Sequence, residues 1–273
     1  MGELLHTARV GDADETVVFL HGLFGQGKNF QTIARGLEPE HGSLLVDLPN
    51  HGESAWTDRV DYAQMADAVA ETIRAQVRGA GADDGSPGGS ITPVHVVGHS
   101  MGGKVAMLLA LRHPELVARL VVVDISPAGA NGTGEFEHLL GALATLDLEA
   151  LTSRADADAA LTELIPNRTV RGFLLQNLRR EGDGWRWRAN LDLLRASLDV
   201  IAGFPGTRRA SFDGPVLWVA GDRSDYVRPE HAPTMRALFP RVRQLTVKGS
   251  GHWVHSEQPD VFIQALRVFL GQG

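Results

Sequence analysis

Val94-His95-Val96-Val97-Gly98-His99-Ser100-Met101-Gly102 decides how this chain folds. Four residues that read as a short buried strand run directly into a Gly-x-Ser-x-Gly pentapeptide, and a helix-spaced apolar stretch, Met101–Arg112, follows. The glycines let the chain turn sharply and keep neighbouring side chains clear, so that Ser100 is held in a strained conformation with its hydroxyl exposed at the C-terminal edge of a sheet. In a chain with 31 Gly, such a pentapeptide arises by chance on the order of 0.1–0.2 times. The strand before it and the helix after it are what give it weight against the bland reading, a glycine-rich turn with a bystander serine.

The same rhythm extends in both directions. Thr16-Val17-Val18-Phe19-Leu20, Ser43-Leu44-Leu45-Val46 and Leu120-Val121-Val122-Val123 are short, continuously apolar and followed by turn signals, the pattern of strands buried on both faces. Helical patterns over Lys28–Leu37, Tyr62–Arg78, Met101–Arg112, Pro229–Phe239 and Pro259–Leu270 fill the intervals, the last two opened by proline in the first turn. Strands alternating with helices define an α/β fold around a mostly parallel sheet. Two segments break the alternation. Gly79 to Ser90 has almost nothing to bury and reads as a mobile surface loop. Residues 128–212 run as helical pattern without an obvious buried strand, and read as an inserted helical subdomain between core segments 1–127 and 213–273. Within the insertion, Glu181-Gly182-Asp183-Gly184 followed by Trp185-Arg186-Trp187 predicts a tight turn and a short extended piece.

Composition narrows the function. Lys+Arg number 26 and Asp+Glu 33, a net charge of −7, so there is no cationic field to gather nucleic acid or anionic lipid. The absence of Cys excludes disulfides, thiolate zinc sites, iron–sulfur clusters and cysteine nucleophiles. No basic n-region opens the chain and no run of about 18 apolar residues occurs, so the expectation is a cytoplasmic protein without membrane attachment, a monomer or homodimer. No metal-ligand spacing, Walker loop or dinucleotide fingerprint appears, and no cofactor or metal is expected.

Serine at its ordinary pKa needs an adjacent base. Among 11 His, His252 stands out: Gly249-Ser250-Gly251-His252-Trp253 follows the apolar strand Val242–Val247 and precedes the last helix, at the same sheet edge as Ser100. His255 is the alternative base, with packing in the last loop as its other reading. An oxyanion hole needs backbone N–H donors. Met101, directly after the serine, supplies one; the other comes from His21-Gly22-Leu23-Phe24-Gly25, with Leu23 first and Phe24 as alternative. His21 then orients the loop and His99 packs beneath the turn. Asp47, Asn50 and His51 form a polar turn that fixes loop geometry. Lys104, one helical turn past Ser100, reads as a solvated or cap-facing side chain. Phe24, Trp185 and Trp187 are candidates for lining a substrate pocket, the two tryptophans equally for forming the insertion's own core.

At this point the chain resembles the α/β-hydrolase superfamily over nearly its whole length, through His21–Gly25, Asp47–Ser54, Gly98–Gly103 and Gly251-His252-Trp253. More narrowly it resembles the YbfF-type bacterial esterases and their mitochondrial abhydrolase relatives, through Asn29-Phe30, Gly98–Lys104, Val123-Asp124-Ile125-Ser126-Pro127 and Gly251–His255. The resemblance implies the α/β-hydrolase fold, with a helical cap inserted after the sixth strand, and hydrolysis of carboxylic esters or thioesters, small molecules that would be its partners. It also bears on the acid. Most of the superfamily would place it after strand 216–221, nominating Asp225 or Asp222. The narrower group carries serine there, matched by Ser224, and uses the aspartate ending the strand after the nucleophile helix, matched by Asp124. Asp124 is favoured and Asp225 is the alternative; Asp192 is more distant and reads as a helix-start carboxylate. The expected machine is Ser100, His252 and Asp124, acting on short to medium acyl groups. Two other readings use the same residues: carbon–carbon bond hydrolysis of a diketone, and a ligand-binding receptor on a hydrolase scaffold.

Overall fold

A computed structural model describes residues 4–77, 92–128, 134–206 and 210–271; the loop expected from Gly79 to Ser90 lies outside them. The strands in chain order are β1 Thr7–Val10, β2 Thr16–Leu20, β3 Gly42–Val46, β4 Val94–His99, β5 Val117–Val123, β6 Leu178–Glu181, β7 Gly184–Trp187, β8 Val216–Gly221 and β9 Val242–Val247. Seven of them form one sheet in the order β1-β3-β2-β4-β5-β8-β9. Only β1 runs antiparallel to its neighbour. β6 and β7 pair separately as the hairpin that the Glu181–Gly184 turn predicted.

Every residue of β2, β3, β4 and β8 is buried, because both sheet faces are covered. Alternation then divides the side chains. Val18, Leu20, Val96 and Val122 join one apolar layer with helices Tyr62–Gln76 (α2) and Met101–Arg112 (α3), while Val17, Phe19, Val97 and Val121 join another with Gln31–Arg35 (α1) and the C-terminal helix Pro259–Leu270. α2 starts where Asp61 caps it, its carboxylate accepting from the Ala63 and Gln64 amides at 2.9 and 3.1 Å. The pattern over Lys28–Leu37 forms as a 3-10 turn, Gly27–Phe30, running into α1, since the Gly27 amide is drawn to Asp47 Oδ1 at 2.7 Å.

Among the described residues between β5 and β8 lie five helices, α4 Gly134–Ala144, α5 Arg154–Ala160, α6 Arg168–Leu175, α7 Leu191–Ala196 and α8 Leu198–Ala202, with the hairpin among them. Among the described residues this segment follows the fifth strand rather than the sixth. Its Leu140, Leu174, Leu194 and Ile201 share the apolar layer of α2 and α3. The segment therefore roofs the C-terminal ends of the parallel strands.

Candidate active site

β4 ends at His99 and α3 begins at Met101, so Ser100 alone makes the joint, with φ 53° and ψ −120°. That conformation is unfavourable for a residue with a side chain, and tight packing imposes it. A Cβ at Gly98 would stand 2.3 Å from the Gly102 carbonyl oxygen, and one at Gly102 would stand 2.3 Å from that of Leu20. Strand, turn and helix can approach this closely only with glycine at both positions.

The tip of this turn is covered, contrary to the exposed hydroxyl expected, Ser100 being 6% exposed, and a continuous line of hydrogen bonds leaves it. Ser100 Oγ is 3.0 Å from His252 Nε2, and His252 Nδ1 is 2.8 Å from Asp124 Oδ2. With Nδ1–H donating to the carboxylate, Nε2 is left as acceptor for the serine hydroxyl. Asp124 is fully buried. Its Oδ1 accepts the Gly221 amide at 2.9 Å, and its Oδ2 also accepts the Ser224 hydroxyl. The other carboxylates sit elsewhere. Asp225 borders an outer cleft and its carbonyl accepts from Arg228 Nε at 3.0 Å, Asp222 accepts the Ser250 amide at 3.2 Å, and Asp192 lies in the first turn of α7. Among the described residues none of these three is hydrogen-bonded to His252.

Aromatic rings surround His252. Tyr226 stacks on His252 with centroids 4.1 Å apart. His99 Nε2–H donates to the His252 carbonyl at 2.9 Å, and burial, with His255 and His252 nearby, pulls its pKa well below the usual histidine value. His255 stacks on Phe30 and is pulled down to about 3, first by burial and then by His252. It packs against the Phe30 and His99 rings. His21 Nε2 accepts the Leu48 amide at 2.9 Å, so its Nδ1–H donates to the Gly22 carbonyl at 2.8 Å and fixes the loop after β2. Burial pushes Asp47 up, but the Glu53 and Gly27 amides outweigh it and hold the carboxyl below its ordinary value, bracing the polar turn.

The turn 22–25 is closed by the Gly25 amide on the Gly22 carbonyl at 2.9 Å, which leaves the Leu23 and Phe24 amides outside that bond. Phe24 itself is left-handed, with φ 62°. Its carbonyl accepts Asn177 Nδ2 at 2.7 Å, and Asn177 Oδ1 accepts from Gln26 at 3.1 Å. A side chain from the segment between β5 and β8 thus pins the turn, a tie between distant residues that no local pattern records. The Met101 amide is in the first turn of α3, where no intrahelical acceptor exists. Leu23, Ser100 and Met101 border one narrow apolar cleft; Leu23, Phe24, Ser100, Phe136 and Phe173 border a second. On the far side of His252 a wider, polar cleft opens beside Ser224, Tyr226, Arg228 and Glu135.

One expectation needs correcting. Trp185 and Trp187 border neither apolar cleft; they are half-buried against the core, and Trp187 faces a groove with Glu53 and Arg188. The hairpin is held there by Arg179 and Arg188, which reach Glu53 at 2.9 and 2.7 Å. Lys104 takes the cap-facing of its two readings. It is 2% exposed and its Nζ donates to the Ile201, Ala202 and Gly203 carbonyls at 2.8, 2.7 and 2.8 Å, closing the C-terminus of α8. Burial pulls it down to about 8, still protonated at neutral pH. The sequence signal was available: Lys104 is the one charge inside the apolar run from Met101 to Leu111.

Sheet order, the strained turn and the Ser100–His252–Asp124 line define a class, and residues 17–265 match the model of the alpha/beta hydrolase family. The chain belongs to that family. It is 38% identical over 268 residues to sn-1-specific diacylglycerol lipase ABHD11 of Mus musculus, covering 95% of this chain and 83% of that one. With esterase YbfF of Escherichia coli (strain K12) it shares 30% identity over 264 residues, 97% of this chain and 96% of the relative. Among solved structures, a marine microorganism esterase superposes with a TM-score of 0.90 at 31% identity, covering 97% of this chain and 99% of that one. The chain is a carboxylic ester hydrolase of the esterase/lipase type. Among the described residues no helix is long and apolar enough to cross a membrane.

Proposed function

We propose that the chain hydrolyses carboxylic esters or thioesters of short to medium acyl groups through an acyl-enzyme, with Ser100 as nucleophile, His252 as general base and then acid, and Asp124 as the acid that orients His252. The observation that carries this reading is the line Ser100 Oγ to His252 Nε2 at 3.0 Å and His252 Nδ1 to Asp124 at 2.8 Å. Ser100 Oγ attacks the acyl carbon as its proton passes to Nε2. The amides of Met101 and Leu23, with Phe24 as alternative, receive the oxyanion. The protonated His252 then gives its proton to the departing oxygen or sulfur, and water repeats the attack on the acyl-enzyme.

The two sides of His252 suggest where each half of the substrate sits. The narrow apolar clefts suit an acyl chain, and the polar cleft beyond His252 suits a leaving group able to take its proton. The segment 128–212 serves as a cap on the core 1–127 and 213–273, and its α8 residues Leu198, Ile201 and Ala202 limit the depth of one acyl cleft. A fluorophosphonate probe is expected to label wild type and not Ser100→Ala. In a panel of p-nitrophenyl esters, kcat/KM is expected to peak at short to medium chains and fall for long ones. Labelling that persists in Ser100→Ala removes the nucleophile assignment; faster turnover of emulsified long-chain diacylglycerol, the lipid named in the mouse relative, overturns the chain-length reading.

A further inference from the structure

Three donor side chains meet at the sheet edge opposite Ser100. Glu15 immediately precedes β2, His41 immediately precedes β3, and His95 is the second residue of β4. These strands are parallel neighbours in the order β3-β2-β4, so the topology sets their first residues side by side although they are far apart in sequence. One donor atom of each residue lies within 4.8 Å of the other two. Glu15 Oε2 is 3.3 Å from His41 Nε2 and 3.7 Å from His95 Nε2. The backbone beneath is fixed, with the Gly42 amide donating to the Glu15 carbonyl at 2.9 Å.

This is more than a surface ion pair. His41 is 4% exposed, and neither ring nitrogen has a hydrogen-bond partner among the described residues; the 3.3 Å approach to Glu15 lacks the alignment of a hydrogen bond. His95 Nδ1 and the Ser43 hydroxyl are also buried and unpartnered. Folded proteins seldom leave such groups unmatched, and several in one place call for an explanation. Burial, with His41 adjacent, pulls His95 down to about 4, so its ring is neutral and offers a lone pair. Around a tetrahedral zinc ion with bonds of about 2.0–2.1 Å, ligand atoms stand about 3.3–3.4 Å apart. Glu15 stands near these separations from both rings on an exposed side chain that can adjust, and the two histidine donors lie within 4.8 Å of each other.

We propose that Glu15, His41 and His95 form a binding site for one divalent transition cation of the zinc type, with water in the remaining position. Two imidazoles and one carboxylate favour such an ion over magnesium or calcium, which prefer oxygen donors. Arg119, in register with His95, opposes a cation, but its guanidinium is drawn over the Phe269 ring. Ser100 lies five residues further along β4, about 16 Å away. A cation here clamps three strand ends and does not touch the reacting groups.

The test uses the full, tag-free chain stripped with EDTA, then titrated with Zn²⁺ by calorimetry and with Co²⁺ by visible absorption. One Zn²⁺ per chain is expected, with an absorption band of tetrahedral Co²⁺ and, at a hundredfold excess over Kd, a rise in Tm of about 5 °C. His41→Gln and His95→Gln should each weaken binding by about tenfold or more, whereas His252→Ala keeps both stoichiometry and band. Glu15→Gln, at an exposed position, makes the same test should the buried variants fail to fold. No stoichiometric uptake by wild type overturns the proposal. So does uptake lost in His252→Ala but kept in His41→Gln and Glu15→Gln, which places the ion at the triad instead.

Discussion

Asp124→Asn isolates the electrostatic part of the proposed mechanism. The side chain keeps its shape and can still accept the Gly221 amide through Oδ1, as Asp124 does at 2.9 Å, so the fold should survive. Its Nδ2 then faces His252 Nδ1 across 2.8 Å, and two donors cannot share that contact. The ring must shift its proton to Nε2, which can no longer accept from Ser100 Oγ. The carboxylate charge is lost as well. For an imidazolium and a carboxylate with charge centres about 4 Å apart, an effective dielectric of about 20 gives about 4 kcal/mol, or about three decades in rate. Adding the tautomer defect, kcat should fall by about 10³–10⁴, with KM for p-nitrophenyl butyrate little changed and Tm close to wild type. Asp225→Asn is expected to stay within about threefold, because among the described residues that side chain is not hydrogen-bonded to His252, and single-residue surface changes have small effects. Ser224→Ala removes one hydrogen bond to the charged carboxylate and should cost about tenfold. If Asp225→Asn is the variant that collapses and Asp124→Asn retains its rate, the acid belongs to the loop after β8 and the reasoning fails.

Three further outcomes follow from neighbouring contacts. Asn177→Ala takes the donor from the Phe24 carbonyl and loosens the oxyanion turn; kcat should drop by about tenfold at unchanged KM, and a change confined to KM would contradict this. His255 is held at about 3 against 6.5 when unfolded, so below pH 6.5 the unfolded chain binds the extra proton and stability falls with acidification; His255→Phe should remove about 3 kcal/mol of the loss between pH 6.5 and 4, read by urea melts at each pH. Lys104→Met leaves three carbonyls at the end of α8 without their donor and should cost about 2 kcal/mol, while widening the chain-length profile because Lys104 borders the same cleft as Ser100.

What the sequence made legible was whatever depends on local pattern. Met101–Arg112 and Pro259–Leu270 form with the boundaries their apolar spacing and N-terminal proline indicated, and Ser100 and His252 stand in motifs whose glycines have a steric purpose. The edge strand β1 was not legible, because Thr7–Val10 is half exposed and lacks the continuous apolar run of the inner strands. Nor were the role of Asn177 or the placement of the tryptophan hairpin. Each depends on how the inserted segment docks on the core, through contacts such as Asn177 to Phe24 and Arg188 to Glu53, and no periodicity records a contact between distant segments. The cluster of Glu15, His41 and His95 escaped for the same reason: its spacing follows from sheet order.

The sheet also explains where strain is held. Among the described residues four non-glycine residues have positive φ: Phe24 at 62°, Asn50 at 67°, Ser100 at 53° and Asp124 at 50°. They follow β2, β3, β4 and β5, four adjacent parallel strands, each just beyond the C-terminal end. Each such residue costs about 1–3 kcal/mol unless its surroundings fix it, and here the buried strands do so. Strain at Ser100 turns its hydroxyl out of the elbow toward His252; strain at Asp124 accompanies its turn from the end of β5 toward the histidine loop. Ser100→Ala keeps a Cβ at φ 53° and should melt close to wild type. Ser100→Gly relieves the conformation, gaining about 1–3 kcal/mol against about 0.5–1 kcal/mol of added unfolded-chain entropy. The net is about 1 kcal/mol, or a rise in Tm of about 2–4 °C over Ser100→Ala, with both variants inactive. If Ser100→Gly melts below Ser100→Ala, the elbow is relaxed in the folded protein, and the two glycines flanking the serine serve close packing alone.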